Sequence, residues 1–524
     1  MINNRAENLK TLEGPDKCWD VAVIGGGSSG LGVALDAISR GLSVVLLEKS
    51  DFAKGTSSRS TKLLHGGVRY LAQGDVFLVL EALRERGKLL ANAPHITTIQ
   101  PFIIPLYSRF NVLKYTIGLK VYDWMSINWS IGTSEYMNKA TVLAHFPNIR
   151  KEGLRGGVLY YDGQFDDARL AINLMQTIME HGGTIVNYME VKGLSKNSRG
   201  KISGIEAYDR IGKKHYTIAA KMIVNATGVF ADKVLRMDVP EAKKMIQPSQ
   251  GVHIVLDQSF LSSEFALMIP KTSDGRVLFA VPWQDKLVVG TTDTLRKKPK
   301  LEPEALQSEI NFILKTAKEY MVRAPQKKDV LAVFAGLRPL AAPEDEGEKT
   351  KEISRSHKVI VSKSNLVTLT GGKWTTFRKM GEDTMEQYEK VTGEKPGDST
   401  SSGMAIHGYT MEENSGPLAH YGVDISAIVR LQKEDKYLLT KVHHNYDYTL
   451  AEVSWAVEKE MAVTVEDMLS RRVRLLLQDV EAAIEAAPLV ARHMATCLGE
   501  DQGWINKQLE KFNKLANKYR IKLD

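Results

Sequence analysis

The sequence has few cysteines, no long apolar run and no nucleic-acid signature. Cys18 and Cys497 are the only cysteines in 524 residues and lack the spacing of a metal or redox motif, which fits a reducing compartment. No apolar run reaches the roughly 18 residues that a spanning helix needs. The start, MINNRAENLK, lacks the apolar centre of a secretory signal. We therefore expect a cytoplasmic protein, associated with the inner face of the cytoplasmic membrane.

Charge and composition argue against a nucleic-acid partner. The formal net charge of +8 is modest for this length, and the sequence contains no arginine-rich tract. We therefore expect no nucleic-acid partner, although an anionic ligand or an acidic membrane surface is compatible with this charge. The length predicts about three to four domains.

The strongest local pattern lies near the N-terminus. An apolar strand runs into Gly25-x-Gly27-x-x-Gly30, an amphipathic helix follows, and a second apolar strand ends at Glu48. Gly25 would make the tight turn, Gly27 would let the backbone approach a pyrophosphate, and Gly30 would let helix and strand pack closely. The pyrophosphate would lie at the helix N-terminus, where free N–H groups favour an anion, and Glu48 would bind a ribose. The pattern predicts a dinucleotide site without separating NAD from FAD.

A loop rich in hydroxyl groups follows the second strand. Residues 55–62 read GTSSRSTK, and residues 63–70 read LLHGGVRY. Hydroxyl groups, backbone amides and paired glycines let a chain pass close to a flat polar ligand. We interpret this loop as a contact for cofactor and substrate. The alternative is a solvated turn in which His65 has only a structural role.

Residues 100–132 form the most apolar and aromatic segment of the chain. Aromatic rings, aliphatic side chains and interleaved Arg109, Lys114 and Lys120 suit a membrane interface. The competing interpretation is a buried pair of helices beneath the active site. We favour contact with the interface.

Three strands end in a glycine turn, at 25–30, at 222–228 and at 366–373, and short strands with alternating side chains follow residue 250. This combination favours FAD over NAD. It predicts an α/β fold in which a glutathione-reductase-like FAD-binding Rossmann domain carries an inserted antiparallel-sheet substrate domain and an all-helical C-terminal domain. The predicted boundaries are 18–95, 150–240 and 345–391 for the FAD-binding domain, 96–149 for the apolar segment, 241–344 for the substrate domain, 392–403 for a linker and 404–524 for the helical domain.

A series of longer strings makes a family resemblance specific. GTSSRSTKLLHGGVRYL, IVNATGVFAD, QGVHIVL, GTTDT, AGLRPL, ISRSHKV and LTGGKWTTFRKM occur in this order, and the tail contains DMLSRRVRLLL. Together they resemble the FAD-dependent glycerol-3-phosphate dehydrogenases. The resemblance implies oxidation of sn-glycerol 3-phosphate to dihydroxyacetone phosphate, with hydride transfer from C2 to flavin N5. It also implies that a membrane quinone reoxidises the flavin, that the protein lies on the membrane surface and, as one option, that it is a homodimer.

The resemblance also assigns roles to individual residues. A secondary alcohol loses its hydride only as its hydroxyl proton leaves, so a neutral imidazole is needed, with His253 as the leading base and His65 as its rival. A phosphate dianion calls for guanidinium and ammonium groups. The implied catalytic residues are His253, Arg338, Lys373 and His65, and the implied substrate-binding residues are Arg69, Tyr70, His253, Arg338, Arg355 and Lys373. As alternatives, Arg338 and Arg355 would be surface or ion-paired charges, and Lys373 would cap a helix.

The implied FAD contacts come from all three glycine turns and from the hydroxyl-rich loop. They are Gly25, Gly27, Ser29, Gly30, Glu48, Lys49, Thr56, Ser57, Ser58, Lys62, Leu64, His65, Gly66, Val191, Ala226, Gly228, Asp232, Gly372, Lys373, Trp374 and Thr375. Trp374 stands where many members have an aliphatic residue. Three other functions remain open at this point: an oxidase that uses oxygen, an amine oxidase of the same broad fold, and a flavin-bound membrane scaffold without turnover.

Overall fold

The computed structural model describes residues 4–14, 17–67, 75–125, 129–342, 357–412 and 415–522, without the side chains of 109–114. Within these ranges the chain forms two large sheets and a C-terminal region that is mainly helical. The α/β fold class predicted from the sequence is confirmed.

The first sheet carries the three glycine turns at one edge. Cys18–Ile24, His215–Asn225 and Leu366–Thr370 are neighbouring parallel strands, so the turns that follow them meet. Ligands gather at such an edge because the carboxyl ends of parallel strands open there. In spatial order the sheet contains Lys358–Val361, Leu366–Thr370, His215–Asn225, Cys18–Ile24, Val44–Leu47 and Thr184–Val186, while Ile202–Asp209 pairs with His215–Asn225 and Met189–Lys196 pairs with Ile202–Asp209.

The second sheet is mostly antiparallel, as predicted, but it extends beyond residues 241–344. Its strands include Thr97–Leu106 and Gly156–Phe165, from the ranges assigned to the apolar segment and to the FAD-binding domain. Phe102 stacks on Tyr160 within the sheet's own core. A continuous apolar run does not distinguish a buried strand from a buried helix, which explains the difference. In order, the sheet contains Thr294–Leu295, Ile246–Asp257, Lys286–Gly290, Leu278–Trp283, Ala266–Ile269, Thr97–Leu106, Gly156–Phe165 and Leu63–Leu64, with Val330–Ala341 paired to Ile246–Asp257 and Glu135–Asn138 paired to Gly156–Phe165.

The helices pack around both sheets and form most of the C-terminal region. The hairpin of Lys441–His443 and Tyr446–Thr449 departs from the all-helical prediction for 404–524. None of the helices in the described part of the chain combines the length and the hydropathy needed to cross a bilayer. The α-helices are Asn4–Leu12, Ser28–Ser39, Val76–Asn92, Arg109–Met125, Lys139–His145, Asp167–Glu180, Ala231–Asp238, Gln307–Tyr320, Phe377–Met385, Tyr388–Thr392, Ile425–Glu434, Leu450–Lys459, Val465–Asp467, Leu475–Gln478, Val480–Leu498 and Gln502–Ala516. Shorter 3₁₀ turns are Thr56–Ser58, Gly228–Phe230, Gln258–Phe260, Lys327–Asp329, Trp374–Thr376, Ser401–Gly403, Ala419–Asp424 and Lys436–Leu439, and Met468–Arg472 forms a π turn.

The described part of residues 100–132 therefore forms one strand and one helix rather than a pair of helices. The helix Arg109–Met125 packs on Val76–Asn92 through Tyr122, which contacts Val79 and Leu83. Its opposite face is open to solvent. The exposed fraction is 56% for Ile117 and 72% for Trp124.

Buried ion pairs join the C-terminal region to the first domain. Asp51 accepts hydrogen bonds from Arg471 Nε at 2.5 Å and from Arg472 NH1 at 2.8 Å, and Arg474 NH2 lies 2.8 Å from Asp167 Oδ1. All five side chains are at least nine-tenths buried. Burial alone would raise the pKa of the Asp51 carboxyl, but the two guanidinium groups lower it below its usual value. The contact between the two domains therefore depends on charges that have no access to water.

We expect Asp51→Asn to destabilise the protein by about 3–5 kcal/mol, because it removes the carboxylate that Arg471 and Arg472 share and leaves their buried guanidinium charges only partly balanced. A lower midpoint in guanidinium unfolding would measure this loss. Arg520→Met is the matched control, since the Arg520–Glu481 pair is exposed and such pairs contribute about 0–1 kcal/mol. Equal midpoints for the two variants would contradict the expectation.

Candidate active site

A cavity of about 530 Å³ lies where the glycine turns of the first sheet face the second sheet. Seventeen of the predicted cofactor and substrate residues line it. They are Gly25, Gly27, Ser29, Glu48, Lys49, Thr56, Ser57, His65, Val191, Ala226, Gly228, His253, Arg338, Gly372, Lys373, Trp374 and Thr375. Residues from seven separate stretches of the sequence therefore meet in one concave site.

The first glycine turn has the backbone geometry that its spacing predicts. Gly25 has φ +112°, and a Cβ there would lie 2.7 Å from the Ala226 carbonyl oxygen. A Cβ on Gly30 would lie 1.9 Å from the Gly25 carbonyl oxygen, so this glycine lets the helix pack on the strand. Gly27 precedes the helix Ser28–Ser39 and lines the cavity. The turn and the helix N-terminus fit the pyrophosphate of a dinucleotide.

Glu48 braces this turn from the neighbouring strand. Its Oε2 accepts from the Gly26 amide at 2.7 Å, and its Oε1 accepts from the Ser50 amide at 2.8 Å. Burial raises the pKa of the Glu48 carboxyl. The side chain also lines the cavity, and its contact with a ribose stays a prediction.

The hydroxyl-rich loop is fastened to the helix N-terminus and to the third glycine turn. Ser57 Oγ accepts from the Ser28 amide at 2.9 Å, and the Ser57 carbonyl accepts from Trp374 Nε1 at 2.7 Å. Thr56 Oγ1 donates to the Leu337 carbonyl at 2.5 Å. The indole of Trp374 therefore has a specific role that an aliphatic residue would not fill.

His253 lies in the strand Ile246–Asp257 at the far end of the cavity. Its ring stacks on Phe334, with centroids 4.9 Å apart, and a Cβ on Gly290 would lie 2.3 Å from its Cδ2. Its Nε2 lies 3.0 Å from Thr61 Oγ1. Burial, with further contributions from Lys62 and Arg338, lowers the pKa of His253 well below 6.5, so the imidazole is neutral at neutral pH.

The other three predicted catalytic residues line the same cavity. Arg338 donates to the Thr292 carbonyl and to Thr291 Oγ1, each at 3.1 Å, and its NH1 lies 3.5 Å from Asp293 Oδ1. Its side chain is 27% exposed. Lys373 precedes the short turn Trp374–Thr376, and His65 follows the hydroxyl-rich loop. These two cationic and two imidazole side chains thus line the same cavity, and Arg338 is close enough to His253 to lower its pKa.

Six predicted cofactor residues do not line the cavity: Gly30, Ser58, Lys62, Leu64, Gly66 and Asp232. Lys62 is fully buried, and its Nζ lies 2.8 Å from Asp167 Oδ2 and 3.0 Å from the Ser58 carbonyl. Burial lowers the pKa of Lys62 to about 8. The ammonium group of Lys62 therefore stabilises the hydroxyl-rich loop through Asp167 and the Ser58 carbonyl, outside the cavity. Arg69, Tyr70 and Arg355 lie outside the described residues.

The structure adds residues that the sequence patterns did not single out. Thr61 and Lys233 line the cavity, and Asp167 and Arg474 hold the hydroxyl-rich loop from beneath. Thr61 lies within the predicted contact loop, so the hydroxyl-rich composition of that loop could have identified it. No pattern identifies Asp167, because its partners come from a loop about 100 residues away and from the C-terminal region.

Comparison with known proteins agrees with this geometry. Residues 20–378 match the family model of FAD dependent oxidoreductases, and residues 362–504 match that of the C-terminal domain of alpha-glycerophosphate oxidase. The mitochondrial glycerol-3-phosphate dehydrogenase of Homo sapiens is 37% identical over 97% of this chain and 74% of its own length. The probable enzyme of the same name from Dictyostelium discoideum is 38% identical over 95% of this chain and 83% of its own.

Solved structures give the same result. The glycerol-3-phosphate dehydrogenase from Bacillus halodurans complexed with FAD matches 100% of each chain with 28% identity and a TM-score of 0.78. The L-alpha-glycerophosphate oxidase from Mycoplasma pneumoniae, with FAD bound, shares the fold at 18% identity and a TM-score of 0.57, over 74% of this chain and 98% of its own.

The fold and the glycine-lined cavity define an FAD-dependent oxidoreductase, so the predicted cofactor and enzyme class are confirmed. More narrowly, the chain belongs to the family of FAD-dependent glycerol-3-phosphate dehydrogenases.

We expect Gly30→Ala to abolish FAD retention, because its Cβ would collide with the Gly25 carbonyl and move the turn that the pyrophosphate needs. The ratio of visible flavin absorbance to protein absorbance after purification measures retention. Gly118→Ala is the control, since nothing lies within 4 Å of its Cβ position and alanine is favoured in a helix by about 1 kcal/mol. Full flavin content in Gly30→Ala would contradict the expectation.

Proposed function

We propose that this protein oxidises sn-glycerol 3-phosphate to dihydroxyacetone phosphate with FAD as the immediate electron acceptor. The observation that carries the proposal is a buried neutral histidine near Arg338, in the cavity that the glycine turns enter and that Lys373 also lines. A hydroxyl that must lose a proton and a phosphate dianion call for these groups. The names of the relatives agree with this choice of substrate.

Arg338 is our leading candidate for the substrate phosphate. Hydrogen bonds to Thr291 and Thr292 hold its guanidinium at the cavity wall while part of the side chain stays accessible. Such a planar group binds phosphate through paired, charge-assisted hydrogen bonds. Lys373 would add a second positive charge. The contributions of Arg69, Tyr70 and Arg355 rest on the family resemblance.

His253 is our proposed base, and His65 is the rival. Stacking on Phe334 and the close approach of Gly290 confine the His253 ring, so its orientation is fixed before substrate binds. A neutral imidazole accepts the hydroxyl proton as the C2 hydrogen leaves with its electron pair. Bound FAD supplies the two-electron acceptor for that hydride. The arginine and lysine keep the substrate carbon oriented and balance the phosphate charge.

We further propose the predicted FAD contacts as the cofactor site. Gly25, Gly27 and Ser29 would bind the pyrophosphate, and Glu48 and Val191 would lie toward the adenosine. Supporting this, these residues line the same cavity as the hydroxyl-rich loop and the third glycine turn. The hydroxyl-rich loop and the turn Trp374–Thr376 would hold the flavin part of FAD, which would supply the two-electron acceptor.

His253→Asn should lower the limiting rate of flavin reduction by about 10²–10⁴-fold, because the hydroxyl proton loses its acceptor. Anaerobic stopped-flow mixing with glycerol 3-phosphate measures bleaching of the flavin. In the wild type we expect the acid limb of this rate to lie below pH 6.5, since the pKa of His253 is lowered and the imidazole stays neutral further into acid.

His65→Asn is the comparison variant for this experiment. A loss confined to His65→Asn would transfer the role of base to His65. A wild-type flavin that glycerol 3-phosphate does not bleach would refute the proposed function itself.

We also propose a membrane quinone as the final acceptor. The competing function is that of an oxidase, in which oxygen accepts the electrons. Under anaerobic conditions we expect sustained turnover with a soluble quinone, and in air little release of hydrogen peroxide. Peroxide formed at the rate of substrate oxidation would make the protein an oxidase instead.

A quinone acceptor needs contact with a lipid surface, and one exposed face offers it. Ile117, Val121 and Trp124 follow one another at helical spacing and are exposed to 56%, 42% and 72%. Phe77, 87% exposed, begins the neighbouring helix. Lys120 is exposed beside them and suits acidic headgroups. We propose that this face binds the inner surface of the cytoplasmic membrane.

Acidic substitutions at Ile117, Val121 and Trp124 should abolish flotation with anionic liposomes, because they place charge in the apolar boundary layer. The wild type should float, and moderate salt should weaken its binding. Glu substitutions at Tyr437 and Leu439, which are exposed to 56% and 51% in the C-terminal region, provide a control for added charge. Equal flotation of folded wild-type and substituted protein would argue against this face.

A further inference from the structure

The two ring nitrogens of His253 differ in their access to a proton from the cavity. Its Nδ1 is buried, and no hydrogen-bond partner for it is found among the described residues. Its Nε2 lies 3.0 Å from Thr61 Oγ1, and Thr61 lines the cavity together with His253. A proton that reaches this imidazole from the cavity therefore arrives at Nε2, on the side where the threonine hydroxyl lies.

The position of Thr61 is fixed by a buried carboxylate. Asp167 Oδ2 accepts from the Ser60 amide at 3.0 Å, from the Ser60 hydroxyl at 2.7 Å and from Lys62 Nζ at 2.8 Å. These two residues flank Thr61 in the chain. Arg474 reaches the same carboxylate from the C-terminal region and also donates to the Ser58 carbonyl at 2.9 Å. The threonine is thus held on both sides before any ligand binds.

We propose that Thr61 is a catalytic proton relay between the substrate hydroxyl and His253, an inference that rests on the proposed function. The Thr61 hydroxyl donates to His253 Nε2, and its oxygen accepts from the C2 hydroxyl of the substrate. As the C2–H bond breaks and its electron pair leaves as hydride to the flavin, the substrate O–H proton moves to Thr61 Oγ1. The proton of Thr61 moves to Nε2 at the same time, so Thr61 ends neutral and His253 becomes imidazolium.

The surroundings of the ring suit such a relay. Lys62 and Arg338 are the cations that disfavour the imidazolium, while the Asp167 carboxylate opposes them. Lys62 Nζ lies 5.1 Å from the centroid of Phe334, the ring that stacks on His253. These groups leave His253 neutral before reaction, and the relay uses the tautomer that carries its proton on Nδ1, in which Nε2 has a lone pair for the threonine proton.

Thr61→Val tests the relay, because it keeps the shape of the side chain and removes the hydroxyl. We expect the limiting rate of flavin reduction by glycerol 3-phosphate to fall by about 10²-fold or more, with the apparent substrate affinity unchanged. Thr61→Ser should restore most of the rate. Thr97→Val is the control, since the Thr97 hydroxyl is also buried but donates to the Ala93 carbonyl away from the cavity.

Each outcome of this experiment bears on the proposal. Wild-type reduction in Thr61→Val would overturn it, as would an equal loss in Thr61→Ser. A loss of substrate affinity with an unchanged limiting rate would make Thr61 a binding residue instead. A wild-type enzyme that glycerol 3-phosphate does not reduce, but another alcohol does, would refute the proposed function and leave the relay to be measured with that alcohol.

Discussion

Two buried carboxylates, Asp51 and Asp167, hold the functional part of this molecule together. Both accept from arginines of the C-terminal region, and both belong to the first domain at the base of the hydroxyl-rich loop. A buried carboxylate or guanidinium group without its partner would destabilise the folded protein. The ion pairs therefore stabilise the contact between the first domain and the C-terminal region. The C-terminal region therefore stabilises the loop that lines the active-site cavity, although Arg474 itself does not line the cavity.

The loop held in this way connects the two halves of the site. Its first residues bind the helix N-terminus and Trp374, and its last residues reach His253 in the second sheet. Cofactor and substrate groups are thus positioned by one short stretch of chain. A rigid connection of this kind suits hydride transfer, which needs the donor carbon and the acceptor atom held in a narrow range of geometry.

Burial divides the positive charges of the site into two kinds. Lys62 is fully buried and forms an ion pair with Asp167, whereas the side chain of Arg338 is partly exposed. The first kind helps to lower the pKa of His253, and the second leaves part of its side chain exposed at the cavity. Residue type alone does not separate them, which is why Lys62 was expected at the flavin.

The sequence by itself determined the dinucleotide turn, the α/β fold class and the family. Those features depend on local spacing: Gly25 and Gly30 are needed wherever a strand turns into a helix over a phosphate. Only the tertiary structure decided that 97–106 is a strand of the second sheet, that Lys62 pairs with Asp167, and that Thr61 lies against His253. These contacts join residues about 50 to 190 positions apart, and no local pattern records which distant partner satisfies a buried charge or a ring nitrogen.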